Sequence, residues 1–94
     1  MPKAVWNGAV LAESEACQIV EDNYYFPPDA VKMEHLRPSD KHTDCFWKGI
    51  ASYYDVVVDG KINSTAAWYY PETLNEARHI QHYVAFWNGV TVTP

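Results

Sequence analysis

The stretch Ser52-Tyr53-Tyr54-Asp55-Val56-Val57-Val58-Asp59-Gly60-Lys61-Ile62-Asn63 decides the fold class of this chain. Its valines and tyrosines are residues that fit a pleated, half-buried surface. Asp59-Gly60 supplies the two central positions of a tight turn, both of which need positive φ. The stretch therefore reads as a β-hairpin, Ser52–Val58 against Lys61–Asn63, with the second arm continuing toward Trp68–Tyr70. Two dipeptides of the same kind lie outside it. Asn7-Gly8 pairs Lys3–Trp6 with Ala9–Glu13, and Asn88-Gly89 pairs Val84–Trp87 with Val90–Val92. Ile19 and Val20 place one more strand over Cys17–Glu21.

Helix signals are fewer. Pro28 suits a first helical turn, and Asp29–His35 carries good helix formers before Pro38 ends the run. Thr73–Gln81 is the second expected helix, with Thr73 and Glu76 as a capping box and Leu74, Ala77 and Ile80 on one face. Arg37–Asp44 (RPSDKHTD) is polar and turn-rich and reads as a loop. The expected architecture is mainly β with two short helices: a small, partly closed barrel or two crossed antiparallel sheets built from three hairpins. Trp6-Asn7-Gly8, Trp47-Lys48-Gly49 and Trp87-Asn88-Gly89 recur at intervals of 41 and 40 residues, which admits an internal pseudo-repeat.

With 94 residues and no linker, the chain reads as a single domain over 1–94. Four Trp, seven Tyr and three Phe supply the large rings from which a small domain builds its core. Seven Lys and Arg against twelve Asp and Glu give a net charge of −5, which disfavours general nucleic-acid or anionic-membrane binding. No apolar run approaches the roughly 20 residues of a membrane span, and no signal-peptide pattern opens the chain. Two cysteines, Cys17 and Cys45, are too few for a disulfide scaffold, so a cytoplasmic protein with reduced thiols is expected. All four Gly fall at turns, so no glycine-rich phosphate loop is present and no cofactor is implied.

Chemistry concentrates in three segments. Asp44-Cys45-Phe46-Trp47-Lys48-Gly49 carries a thiol beside an ammonium, a pairing that favours the nucleophilic thiolate; the plain alternative is a buried Cys45 and a solvated Lys48. Arg37 and Ser39 precede it, and Arg37 with Lys48 would make a local anion site, unless Arg37 merely closes the end of the first helix. Ala66-Ala67-Trp68-Tyr69-Tyr70-Pro71 offers rings either for a stacking wall or for the core, and alternation along a strand allows one face to do each. His42-x-x-Cys45 and His79-x-x-His82 have the spacing of zinc-ligand pairs, although a Cys-His₃ set is unusual.

Taken together, Ala4-Val5-Trp6-Asn7-Gly8, Tyr25-Phe26-Pro27-Pro28, Leu36-Arg37-Pro38-Ser39, Cys45 to Tyr54, Ala66 to Pro71 and Val84-Ala85-Phe86-Trp87 resemble the family known as domain of unknown function 427, over nearly the whole chain. Its specific parts here are Cys-x-x-Lys-Gly-x-Ala and Ala-Trp-x-Tyr-Pro. The resemblance implies a compact β-rich fold and places Arg37, Cys45, Lys48, Gly49, Tyr54, Trp68 and Tyr70 at signature positions. It also implies a small residue where this chain has Phe46, and no His at 42 or 79. The family's loose nucleotidyltransferase-like label finds no support in these residues: there is neither a Gly-Ser turn nor paired metal-binding carboxylates.

The functional expectation is a small-molecule or peptide binding module. Its groove would be rimmed by Arg37, Ser39, Cys45 and Lys48 and walled by Tyr54, Trp68 and Tyr70, for an anionic or planar ligand. The competing expectations are an enzyme acting through Cys45 or Lys48 and a structural module that associates as a homodimer.

Overall fold

The computed structural model describes all residues, Met1–Pro94. Strands β1 (Lys3–Trp6) and β2 (Ala9–Glu13) form the expected first hairpin, Trp6 facing Ala9 and Lys3 facing Glu13. Asn7 and Gly8 take φ of 49° and 80° at its turn. Strands β3 (Gln18–Val20) and β4 (Asn23–Tyr25) make a second, short hairpin. Its turn residues Glu21 and Asp22 hold positive φ, 53° and 66°, without a glycine. Two 3₁₀ turns, Pro28–Ala30 and Met33–His35, lead into the long strands β5 (Leu36–Cys45), β6 (Gly49–Val58) and β7 (Lys61–Tyr69). A third 3₁₀ turn, Asn75–Ile80, precedes β8 (Val84–Phe86) and β9 (Thr91–Thr93).

All pairing is antiparallel, in three separate sheets of order β2-β1-β9, β3-β4 and β5-β6-β7-β8. The chain is mainly β, as its composition and turns indicate, and none of the sheets closes into a barrel. Within that class, the local reading needs correction at particular segments. Arg37–Asp44 is not a loop but most of β5, an edge strand, where charges and Pro38 are tolerated because one side has no partner to satisfy. Val84–Trp87 and Val90–Val92 do not form a hairpin. Asn88-Gly89 instead carries the chain from β8, paired with β7, to β9, paired with β1.

Both expected helices are realised only as 3₁₀ turns. The segments are too short to repay helix nucleation, and extended backbone (Val31 and Leu36 at the ends of the first two) closes them off. Thr73 does not cap a helix either; its hydroxyl donates to Gln81 Oε1 at 3.2 Å, and Leu74 takes the cap position without a side-chain bond. The three Trp-x-Gly turns are not equivalent. Asn7-Gly8 closes a hairpin of the three-stranded sheet, Asn88-Gly89 crosses between sheets, and Gly49 alone has φ of 120° after a lysine.

The four-stranded sheet is covered on both faces, which creates two cores. Tyr54, paired with Ala67 and through it with Phe86, faces a cluster that includes Val56, Ala4, Leu11 and Phe26 and joins the sheet to β1-β2. Tyr53, paired with Trp68 and through it with Ala85, faces the opposite cluster of Tyr25, Ala51, Tyr70, Ala77 and Ile80. Phe26 and Phe86 meet edge to face at 5.8 Å in the first core.

Gly49 locks the start of β6 to the segment after β7. It bridges Thr73, and Leu74 N donates to Lys48 O at 3.1 Å. A Cβ at Gly49 would stand 2.9 Å from the Glu72 carbonyl oxygen, at a φ that side chains avoid. Gly49→Ala should therefore cost more than Gly8→Ala, whose Cβ would meet nothing within 4 Å. The expected cost at Gly8 is about 1–2 kcal/mol from φ alone. Urea-unfolding midpoints measure both variants; a Gly49→Ala protein as stable as Gly8→Ala would show that this close approach is not a constraint.

Candidate functional site

On the Tyr53 face, strand β4, the turn before β6 and the end of β7 enclose a groove of about 330 Å³. Its walls are Tyr25, Tyr53, Trp68, Tyr70 and Trp87, with Asn23 and Lys48 as the polar lining. The rings are held rather than loose. Trp68 Nε1 donates to Tyr25 Oη at 3.1 Å, Trp87 Nε1 donates to the Thr65 carbonyl at 2.6 Å, and Tyr53 Oη shares a 3.0 Å hydrogen bond with Thr43 Oγ1. Trp68 stands edge-on between Tyr25 and Trp87, at interplanar angles of 89° and 85°.

Lys48 is the one charged residue buried in the protein, 6 % exposed. The turn Phe46–Lys48 between β5 and β6 drives its side chain inward, over the faces of Trp47 at 5.0 Å and Tyr70 at 5.9 Å. Its Nζ donates to Glu21 Oε1, on the β3–β4 turn, in an ion pair whose carboxylate side is half exposed. Burial acts to lower the ammonium's pKa, but the hydrogen bond to Glu21 and the neighbouring Tyr25 and Cys45 outweigh it and raise the pKa. The hydrogen bond from Lys48 likewise lowers the pKa of Glu21. Burial pushes the Tyr25 and Tyr70 hydroxyls up, so both remain protonated donors at neutral pH.

Of the residues read as a site, Lys48, Trp68 and Tyr70 line this groove, and Cys45 packs, half-buried, against the same core. The others lie elsewhere. Tyr54 is on the opposite face, stacked on Tyr69 at 4.7 Å, where burial pushes its pKa up to about 12. Its neighbour Tyr53 takes the place expected for it, because successive strand residues face opposite ways. Arg37 closes no helix and rims no groove; it pairs with Asp55 at 3.9 Å. Ser39 accepts a bond from Lys41 N, inside the register shift of β5.

The zinc arrangement is not formed. His42 Nδ1 lies 3.3 Å from Ser52 Oγ on the face away from Cys45, and no three His, Cys, Asp or Glu residues group to hold a metal. The alternation of β5 separates His42 from Cys45, since residues three apart point to opposite faces.

Glu21, Asn23, Tyr25, Tyr53 and Trp87 were not identified as site residues from sequence. Tyr53 alone had a usable signal, its odd–even relation to the strand. Glu21 had none, because its turn carries no glycine.

These features define a small antiparallel β domain with an aromatic groove beside one buried lysine and its half-exposed carboxylate partner. The chain belongs to the family described as Domain of unknown function (DUF427), whose model matches residues 2–93. No curated protein matches it. No helix is long and apolar enough to cross a membrane.

The ion pair has a defined pH signature. A lowered carboxylate pKa contributes stability above its unfolded value of 4.5, lost as pH falls through the folded value. A raised lysine pKa contributes stability below 10.5, lost as pH rises through the folded value. The wild type should therefore exceed Glu21→Gln in stability between about pH 5 and 10 and lose that advantage on either side. Thermal unfolding across pH measures it, and a gap unchanged at pH 3 would refute the pairing.

Proposed function

We propose that this protein binds a small ligand whose acidic group engages Lys48 and whose flat part lies against Tyr53, Trp68 and Tyr70. The observation that carries this reading is the burial of Lys48 against a partner that is itself exposed. A buried ammonium is costly unless paired, and here its only carboxylate partner sits half exposed at the groove mouth. A ligand carboxylate or phosphate would take over that bond and bring its rings' worth of apolar burial with it. The Tyr25 and Tyr70 hydroxyls and the Asn23 amide are the further polar groups available to orient it.

The enzymatic reading has less support. An ammonium with a raised pKa keeps its proton at neutral pH, so Lys48 lacks the free lone pair of a base or amine nucleophile. No histidine lines the groove to serve Cys45 as a base.

Thermal unfolding against planar carboxylates and nucleoside monophosphates tests the binding reading. A ligand at a hundred times its Kd should add about 2.7 kcal/mol, and in a domain of this size each kcal/mol moves Tm by roughly 4–8 °C. Lys48→Gln should weaken any hit by about 10- to 150-fold, the worth of a charge-assisted bond, whereas Glu21→Gln should strengthen it. A hit indifferent to both variants would place binding elsewhere.

One observation favours self-association as a second reading. Phe46 is 92 % exposed and borders Leu74, itself 50 % exposed, which in turn borders Ile50 at 59 %. Exposed apolar groups that adjoin one another mark contact surfaces more often than single ones do. Light scattering should then show a dimer in the wild type that Phe46→Ser converts to monomer; a strictly monomeric wild type removes this reading.

A further inference from the structure

The groove has a second occupied end. Lys41, an exposed residue of edge strand β5, extends its ammonium over two of the groove's rings, 5.0 Å from the centroid of Tyr53 and 5.9 Å from that of Trp87. One cation thus marks a point on which two ring faces converge. Lys48 lies over a different pair of rings, Trp47 and Tyr70, so the two ammonium groups sit at separate ends. The inner end holds a cation that needs an anion, and the structure fills that need with its own Glu21 carboxylate. The outer end is an aromatic surface that attracts a cation, and the structure fills it with its own Lys41.

Both stand-ins are long side chains at the protein surface, and leaving costs each of them little. A cation–π contact at an exposed site is weak, and Glu21 regains full hydration. The rings they leave behind stay in place. The Tyr53 hydroxyl is engaged by Thr43, the Trp87 indole N–H by Thr65, and the Trp87 backbone N–H by the Ala66 carbonyl at 2.9 Å. The Lys41 ammonium makes no hydrogen bond to the protein, so its N–H groups stay hydrated at this exposed end, and a primary ammonium covered by the rest of a ligand would lose that water. A fully alkylated ammonium has no N–H to satisfy and keeps the whole attraction of the ring faces.

We infer that the groove takes a small zwitterion, with an acidic group on Lys48 and a quaternary ammonium on the faces of Tyr53 and Trp87. This rests on the binding reading above for its acidic half; the cation subsite stands on Lys41, Tyr53 and Trp87 alone.

Three matched probes separate the halves: benzoate carries the acid only, phenyltrimethylammonium the cation only, and 4-(trimethylammonio)benzoate both. Calorimetric titration of the full chain should give the zwitterion the lowest Kd. Lys41→Gln empties the outer subsite. It should tighten both quaternary probes about two- to fivefold, the worth of an exposed cation–π contact, and leave benzoate within about twofold. Trp87→Leu added to Lys41→Gln should abolish that gain, with circular dichroism confirming that each variant is folded.

Binding of benzoate through Lys48 with no response to phenyltrimethylammonium in either protein would overturn the cation subsite and leave the acid-binding groove standing. Binding of the cation alone would keep the outer subsite, refute the acidic half and with it the zwitterion. Silence to all three probes overturns both readings. Weaker zwitterion binding in Lys41→Gln would make Lys41 a ligand-holding group rather than a stand-in, which also overturns the inference.

Discussion

Strand β6 is packed on both faces, and this constraint orders the rest of the molecule. A strand with one buried face alternates apolar and polar residues; β6 cannot, because Tyr54 and Val56 serve one core while Ala51 and Tyr53 serve the other. The two cores differ in kind. The one beneath Tyr54 joins two sheets through aliphatic side chains and the Phe26–Phe86 contact and is closed. The one beneath Tyr53 is roofed only by a short hairpin and a 3₁₀ turn, so its rings reach the surface and become the walls of a groove. Ligand-sized space arises where the cover is smallest.

The buried lysine follows from the same geometry. Gly49 lets the chain pass close under the Glu72 carbonyl, and that tight approach anchors the Lys48 backbone so that its side chain points into the second core. A hydrophobic residue at 48 would fill the space without the cost of desolvating a charge. Retaining an ammonium there, answered by one carboxylate on a glycine-free turn with two positive φ values, costs stability twice, in desolvation and in backbone strain. Such paired costs collect at functional sites more often than in scaffolding, and they fall at this pair rather than in the larger cleft lined by His42, Ile50 and Leu74.

Much of this was legible in advance, and the losses have identifiable physical causes. The hairpins β1–β2 and β6–β7 are encoded by dipeptides whose positive φ is nearly obligatory. Asn88-Gly89 carries the same local instruction, yet its flanking strands pair with different neighbours, because tertiary pairing decides what a turn connects. Strand β5 was hidden by its own charges, which an edge strand needs and a loop also has. Tyr53 and Tyr54 could not be told apart because a doubly buried strand erases the alternation that assigns faces. Lys48 was legible from its motif. Glu21 was not, since nothing local records that residues 27 apart will meet.

That last gap bears on what kind of site this is. Tyr53 and Trp68 lie on the long, well-paired strands β6 and β7, and Lys48 lies in the turn that Gly49 locks, whereas Glu21 and Lys41 come from the weakest parts of the fold. One sits on the turn of a hairpin with three residues per strand, the other in the stretch of β5 between Pro38 and His42 where register with β6 is lost. Local stability is lowest where paired backbone is sparse, and segments that move on binding are drawn from such regions. The firmly held elements therefore supply Tyr53, Trp68 and the buried ammonium, and the loosely held ones supply the two opposite charges that now lie against them. An arrangement with the reverse assignment, charges on the stiff strands and rings on the loose turns, would hold its own side chains more firmly against exchange. This one leaves both ends of the groove open to exchange.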